Sequence, residues 1–104
     1  MSQLQRVTGR ATSIRTEDGY TKVRYHSTDV VTFNDKTIEL YAGGWQTMTT
    51  KVRMNQASNQ FDLGFTVYQK DFAWFVHFQG KTYEFDAYEP LTLKRVQRFA
   101  GILR

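Results

Sequence analysis

Strand alternation is clearest in the segment Tyr20-Thr-Lys-Val-Arg-Tyr25, where apolar and basic side chains take turns along the chain. Val23 and Tyr25 fall on one side of an extended backbone, and Lys22 and Arg24 fall on the other. A period of two with one apolar side is typical of a strand that is buried on one face only. The segment therefore predicts a sheet that covers a core with one face and meets solvent with the other.

Two hairpins are predicted around this segment. Upstream, residues 4–14 are rich in Thr, Val and Ile and lead into a turn at Glu17-Asp-Gly19. Downstream, the strand Val30-Val-Thr-Phe33 is joined to Lys36-Thr-Ile-Glu-Leu-Tyr41 by Asn34-Asp35, and this pair of residues tolerates turn conformations. Each turn is short enough to leave its two strands antiparallel neighbours.

The second half of the chain predicts one helix and a meander. Thr47, Thr49 or Thr50 is expected to cap a helix over about residues 48–60. Three strands are then expected at 65–68, 72–78 and 81–85, and the middle one is apolar on both faces and so expected to be covered on both.

The predicted fold class is α+β, with one small domain spanning residues 1–104. An antiparallel sheet of about five to seven strands, built from hairpins, is expected to be packed by the one central helix. Residues 90–104 form a basic C-terminal tail, for which both a short amphipathic helix and a strand at Leu91-Thr-Leu93 are open. The apolar side of the tail is expected to dock on its own domain, on a second copy in a homodimer, or on a partner.

Composition excludes several classes of protein. The chain has 104 residues, of which 40% are hydrophobic and 15% aromatic, so it is expected to fold rather than to remain disordered. It has no cysteine, which excludes a disulfide scaffold, thiol catalysis and cysteine-bound zinc. No apolar run is long enough to span a bilayer and no signal peptide is evident, so a soluble cytoplasmic protein without membrane contact is expected.

The net charge of +4 is unevenly distributed. Residues 1–89 are neutral in sum, and residues 90–104 carry Lys94, Arg95, Arg98 and Arg104 without an acid. Residues 61–89 are acidic, with five carboxylates against two lysines. Such asymmetry bears on the choice of partner rather than on the fold.

Six stretches resemble a family of small bacteriophage-encoded hypothetical proteins with a YHxT / GGWxTxTTKxRMNQ / VYQKDxxWxV pattern. They are Tyr25-His26-Ser27-Thr28, Val30-Val31, Thr37-Ile38-Glu39-Leu40, Gly43-Gly44-Trp45-Gln46-Thr47, Thr49-Thr50-Lys51-Val52-Arg53-Met54-Asn55-Gln56 and Val67-Tyr68-Gln69-Lys70. The likeness covers residues 23–86. It implies a phage origin and the host bacterial cytoplasm as the location, but no reaction. It also marks Lys51, Arg53 and Asn55 as site residues, whereas both basic ends of the chain lie outside it.

Basic side chains interleaved with aromatic ones point to nucleic acid. If the first strand alternates and pairs with the second, Arg6 and Arg10 lie beside Lys22 and Arg24, with Tyr20 on the same face. Single-stranded nucleic acid is bound by such faces, since cations contact phosphates and rings stack on bases. The residues predicted to bind nucleic acid or a partner are Arg6, Arg10, Tyr20, Lys22, Arg24, Lys51, Arg53, Asn55, Lys94, Arg95 and Arg98.

Catalysis is not expected. His26, Ser27 and Asp29 have the residue types of a hydrolytic triad, but neighbouring residues of a strand face opposite ways and no nucleophile elbow is present. A Mg²⁺-dependent nuclease using Glu84 and Asp86 is the enzymatic alternative, against the simpler reading of a charged edge strand. No cofactor is expected, and no bound metal.

Two functions remain open from the sequence. The first is a non-enzymatic phage accessory protein that binds nucleic acid through the basic sheet face and the basic tail, with affinity that falls steeply with salt. The alternative is a protein–protein inhibitor of a host protein or of an anti-phage defence protein of the CRISPR type, which the small size and the aromatic content favour.

Overall fold

A computed structural model describes residues 7–44 and 46–95 of the chain. These residues form eight strands and one helix. In chain order they are β1 (Thr12–Glu17), β2 (Tyr20–Tyr25), β3 (Thr28–Phe33), β4 (Thr37–Leu40), α1 (Met48–Gln60), β5 (Phe65–Lys70), β6 (Ala73–Phe78), β7 (Lys81–Glu84) and β8 (Leu91–Lys94).

The strands form two antiparallel sheets. The larger has the order β1-β2-β3-β4-β8 and the smaller has the order β5-β6-β7. The α+β class is confirmed, although the strands are divided between two sheets instead of forming one. The division follows from α1, which separates β4 from β5, and from β8, which returns to pair with β4.

Turn chemistry explains the hairpins. Asp18 and Gly19 both have positive φ between β1 and β2, which is the backbone of the tight turn that suits twisted strands. Between β3 and β4 the Asn34 side chain accepts hydrogen bonds from the N–H groups of Lys36 and Thr37, at 2.8 and 2.9 Å. Both predicted hairpins and the three-stranded meander are confirmed.

Helix α1 begins where the sequence predicts. The hydroxyl of Thr47 accepts a hydrogen bond from the Thr50 N–H at 3.2 Å, which caps the first turn. The helix packs against strands of both sheets, and Met54 and Ala57 are fully buried between them.

The buried apolar residues form one cluster that joins the inner faces of both sheets to the helix. Its members are Val23, Val30, Val31, Phe33, Ile38, Leu40, Ala42, Met54, Ala57, Leu63, Phe65, Val67, Trp74, Val76, Phe78, Phe85 and Leu93. Every residue that the alternation of β2 placed toward the core is buried or half-buried there.

Two local predictions need correction, and one open alternative is decided. Among the described residues the first strand begins at Thr12, and residues 7–11 of the predicted strand are not part of it, since Ala11 has positive φ; residues 4–6 of the predicted strand lie outside the described residues. Strand β6 is covered on one face only, with His77 exposed and Phe75 half-buried on the other. Of the two alternatives for the start of the tail, the strand is confirmed, since β8 pairs with β4; residues 96–104 of the tail lie outside the described residues.

Candidate functional site

The outer face of the five-stranded sheet carries the predicted basic residues Lys22 and Arg24. The residue across from Lys22 is Arg15, not Arg10. Arg10 lies in the exposed turn before β1, because that strand starts later than expected, and Arg6 lies outside the described residues. The four predicted cations are therefore not seen as one row, and Arg15 is a member that the sequence reasoning missed.

Carboxylates neutralise most of this face. Arg15 donates from both terminal nitrogens to the carboxylate of Asp29 at 3.0 Å each, and Arg24 Nε donates to the same carboxylate at 3.0 Å. These two guanidinium groups lower the pKa of Asp29 to about 2, with the Arg15 hydrogen bonds as the largest cause. Lys22 Nζ is 3.1 Å from a carboxylate oxygen of Glu17. The face is thus ion-paired rather than freely basic.

Tyrosines border a groove on the same face. A groove of about 480 Å³ is lined by Lys22, Asp29, Tyr41 and Tyr88, among others, and Tyr20 lies with Lys22 in a neighbouring depression of about 320 Å³. Aromatic rings beside a lysine are what a single-stranded nucleic acid needs, but the carboxylates that share the groove disfavour its phosphates.

Internal contacts occupy the predicted residues of helix α1. The Lys51 ammonium lies 5.8 Å from the centre of the Trp74 ring. The Arg53 guanidinium lies 5.7 Å from the centre of the Tyr25 ring and also donates to the Thr12 hydroxyl at 2.9 Å. These two cations therefore connect the helix to residues of neighbouring strands.

Asn55 completes the hydrogen bonding of an edge strand. Its amide donates to the Val67 carbonyl at 3.0 Å and accepts from the Val67 N–H at 2.8 Å. One turn later, Ser58 donates to the Phe65 carbonyl at 2.7 Å and accepts from the Phe65 N–H at 2.9 Å. The two helical side chains thus take the place of a fourth strand beside β5, which gives Asn55 a structural role.

The predicted cations of the tail differ in their exposure and contacts. Lys94 is exposed at the end of β8, opposite Thr37. Arg95 is half-buried and donates from its guanidinium to the Asn34 carbonyl at 2.8 Å. Arg98 lies outside the described residues. Arg95 therefore ties the end of β8 to the turn between β3 and β4.

The residues of the catalytic alternatives lie at the β2–β3 turn and at the end of β7. His26 and Ser27 form the turn between β2 and β3, whereas Asp29 faces the two arginines. Asp86 accepts a hydrogen bond from the Tyr88 N–H at 2.8 Å. Within residues 7–44 and 46–95, no three His, Asp or Glu side chains are grouped so as to hold a metal ion.

Phe72 is the surface residue that the sequence reasoning missed. It occupies the turn between β5 and β6, with 97% of its surface exposed. Asp71 and Phe72 have φ of 52° and 69°, so both are left-handed, as in a type I′ turn. Asn-Gly is the usual pair at these positions, because a bulky side chain is strained there. The signal in the sequence is a meander turn without glycine, and Phe72 lies at the start of the apolar stretch that predicts the following strand.

A half-buried aromatic pair lies in the two strands that the Phe72 turn connects. Tyr68 and Phe75 are stacked on the outer face of the small sheet, with ring centres 5.7 Å apart and planes 28° apart. Glu84 is directly across from Phe75. We call Phe72, Tyr68, Phe75, Asp71 and Glu84 the hairpin surface.

Among the described residues, no helix has the length and apolar character needed to cross a bilayer.

Comparison with known proteins gives one family. The family model described as Kyanoviridae Gp96 protein matches residues 2–93. No curated protein and no solved structure matches the chain.

Proposed function

The chain belongs to the Kyanoviridae Gp96 protein family of phages, and on that premise we propose that it is a non-catalytic accessory protein that binds a protein of the infected cell through the hairpin surface. The exposure of Phe72 in a left-handed turn carries the proposal. The proposed partner is a protein of the host bacterial cytoplasm, either a host protein or a component of an anti-phage defence system, and the phage family supports this choice.

Phe72 has two unfavourable features at once. A left-handed bulky residue is strained by about 1–2 kcal/mol, and an exposed phenyl ring leaves a large apolar area in water. Glycine at this position would remove both features. Strain that persists in a fold is a reason to look for function at that position.

Aromatic residues of this kind are the usual anchors of protein interfaces. An anchor ring that enters a pocket of the partner supplies a large share of the binding energy. The stacked rings of Tyr68 and Phe75 extend the apolar area, and half-buried side chains of this kind are already ordered before binding.

The charge around the hairpin surface indicates the partner's chemistry. Residues 61–89 contain five carboxylates against two lysines, and Asp71 and Glu84 belong to the hairpin surface itself. Complementarity then favours a partner with an apolar pocket bordered by lysine or arginine. Proteins that handle nucleic acids commonly have such borders, which connects this proposal with inhibition of a host or defence protein.

The experiment compares capture by tagged wild-type protein with capture by Phe72→Gly and Tyr20→Ala from lysates of host cells. Tyr20→Ala is the matched control, since it removes an exposed ring from the other sheet. We expect one stoichiometric partner with the wild type and the control, and at least about tenfold less of it with Phe72→Gly. Equal recovery by Phe72→Gly, or no stoichiometric partner for the wild type, would contradict the proposal.

Nucleic-acid binding is the second candidate, favoured by the groove where Tyr41 and Tyr88 border Lys22. The ion pairs limit it, so removal of Asp29 should release two arginines toward phosphate. We expect Asp29→Asn to bind single-stranded DNA more tightly at low salt than the wild type, with a steeper salt dependence, in a fluorescence-anisotropy titration. No binding by either protein at low salt would end this candidate.

A further inference from the structure

We propose that a cavity between the β2–β3 turn and the first turn of α1 binds the planar ring of a nucleobase. The cavity has a volume of about 490 Å³, within the usual range for small-ligand sites. Three parts of the fold border it: the β2–β3 hairpin, the loop after β4 and the beginning of α1. Its described lining is Tyr25, His26, Ser27, Thr28, Val30, Ala42, Thr47, Thr49 and Thr50.

An apolar floor and an aromatic wall shape the cavity. Val30, Ala42 and Thr50 contribute the floor, and each is 1% exposed or less. The rings of Tyr25 and His26 lie side by side, with centres 4.4 Å apart and planes at 51°. Arg53 contacts the Tyr25 ring as well, which holds that ring in place. We therefore expect a planar base to stack on one of these two rings, with the Tyr25 ring already held in position.

His26 is held there by a strained turn. Its φ is 58°, in the left-handed region where glycine is favoured. Its N–H donates to the Ala11 carbonyl at 2.7 Å, which fixes the turn against the residue before β1. A histidine where glycine is preferred keeps an imidazole at the cavity.

The hydroxyl groups define the ligand's edge chemistry. Ser27, Thr28 and Thr49 line the cavity, and their hydroxyls make no hydrogen bond to any described residue. A hydroxyl both donates and accepts hydrogen bonds, so these groups can pair with the donors and acceptors along the edge of a nucleobase. The described lining contains no Lys, Arg, Asp or Glu, which favours an uncharged ring. The inference is independent of the hairpin surface, since none of these residues belongs to it.

The test is a titration of ¹⁵N-labelled protein with adenosine, guanosine, cytidine and uridine, followed by amide chemical shifts. We expect saturable shifts at Ser27, Thr28 and Thr49 for at least one nucleoside. Thr49→Val and His26→Gly should each weaken binding by about tenfold. His26→Gly relieves backbone strain, so loss of binding in that variant cannot be assigned to unfolding. His77→Ala, at the exposed histidine of the small sheet, should bind like the wild type.

A nucleobase can come from a nucleic-acid strand or from a free nucleoside, and a titration with a short single-stranded oligonucleotide distinguishes the two. If it shifts the same amides at lower concentrations than the nucleosides, the ring belongs to a strand; equal concentrations assign it to a free nucleoside. Both results support the cavity. Absence of saturable shifts with all four nucleosides and the oligonucleotide, or shifts that His26→Gly and Thr49→Val leave unchanged, would overturn the inference.

Discussion

The carboxylate of Asp29 neutralises two arginines on the outer face of the five-stranded sheet. It receives hydrogen bonds from Arg15 and Arg24, and the pKa of Asp29 is about 2 as a result. A group whose pKa is lowered on folding stabilises the fold at pH values above its unfolded pKa of about 4. That stabilisation is lost as the pH falls toward 2.

We therefore expect Asp29→Asn to lower the free energy of unfolding by about 1 kcal/mol at pH 7, an amount that allows for solvent screening of a partly exposed pair. The difference from the wild type should shrink between pH 4 and about pH 2, where the wild-type carboxylate also becomes neutral. Urea denaturation at several pH values measures it. A difference that stays constant down to pH 2 would contradict the assignment of the pKa to these ion pairs.

Asn55 serves the fold at the same scale, through two hydrogen bonds to the backbone of Val67. We expect Asn55→Ala to reduce the free energy of unfolding by about 1–3 kcal/mol, since an N–H and a carbonyl of β5 lose their partners. Asn55→Asp should be similarly unfavourable, because a carboxylate cannot donate to the Val67 carbonyl. Denaturant melts compare both with Gln69→Ala, an exposed control expected within about 0.5 kcal/mol of the wild type. An unchanged stability in Asn55→Ala would indicate that Asn55 is free for binding.

At the scale of elements, the turn between β5 and β6 combines strain with exposure. We expect Phe72→Gly to raise the free energy of unfolding by about 0.5–1 kcal/mol, because relief of the left-handed strain exceeds the added entropy of the unfolded chain. Phe72→Ala keeps the strain and should gain less. Thermal and urea unfolding measure both variants. If Phe72→Gly destabilised the protein, Phe72 would be a packing residue and not a docking one.

Most elements could be predicted from the sequence because their signals are local. Thr47 marks the start of α1, and the Asp18-Gly19 and Asn34-Asp35 turns mark the hairpins. Two features depend on contacts that local signals do not reveal. Strand β8 pairs with the distant strand β4, and the bulge between Val23 and Arg24 sets the register that brings Arg15 beside Asp29. The candidate site is less predictable for the same reason. The sequence indicates Lys22 and Arg24 as basic residues of one face, but not that Glu17 and Asp29 pair with them.

At the scale of the whole molecule, one cluster of buried residues connects both sheets through α1. The prediction of a single domain implies that the two sheets unfold together. We expect Met54→Ala, which removes a fully buried side chain of the helix, to lower the free energy of unfolding by about 2–4 kcal/mol. Tryptophan fluorescence and far-ultraviolet circular dichroism should give coincident transitions in the wild type and the variant. Two separate transitions would contradict a single cooperative domain.

The central claim is that the hairpin surface contacts a protein in the infected cell. A photo-crosslinking phenylalanine analogue in place of Phe72, produced in host cells and irradiated there, tests it most directly. The same analogue in place of Tyr20 serves as the control on the other sheet. The account predicts one discrete adduct with a single protein from position 72 and no such adduct from position 20. No adduct from position 72, or the same adducts from both positions, would contradict it.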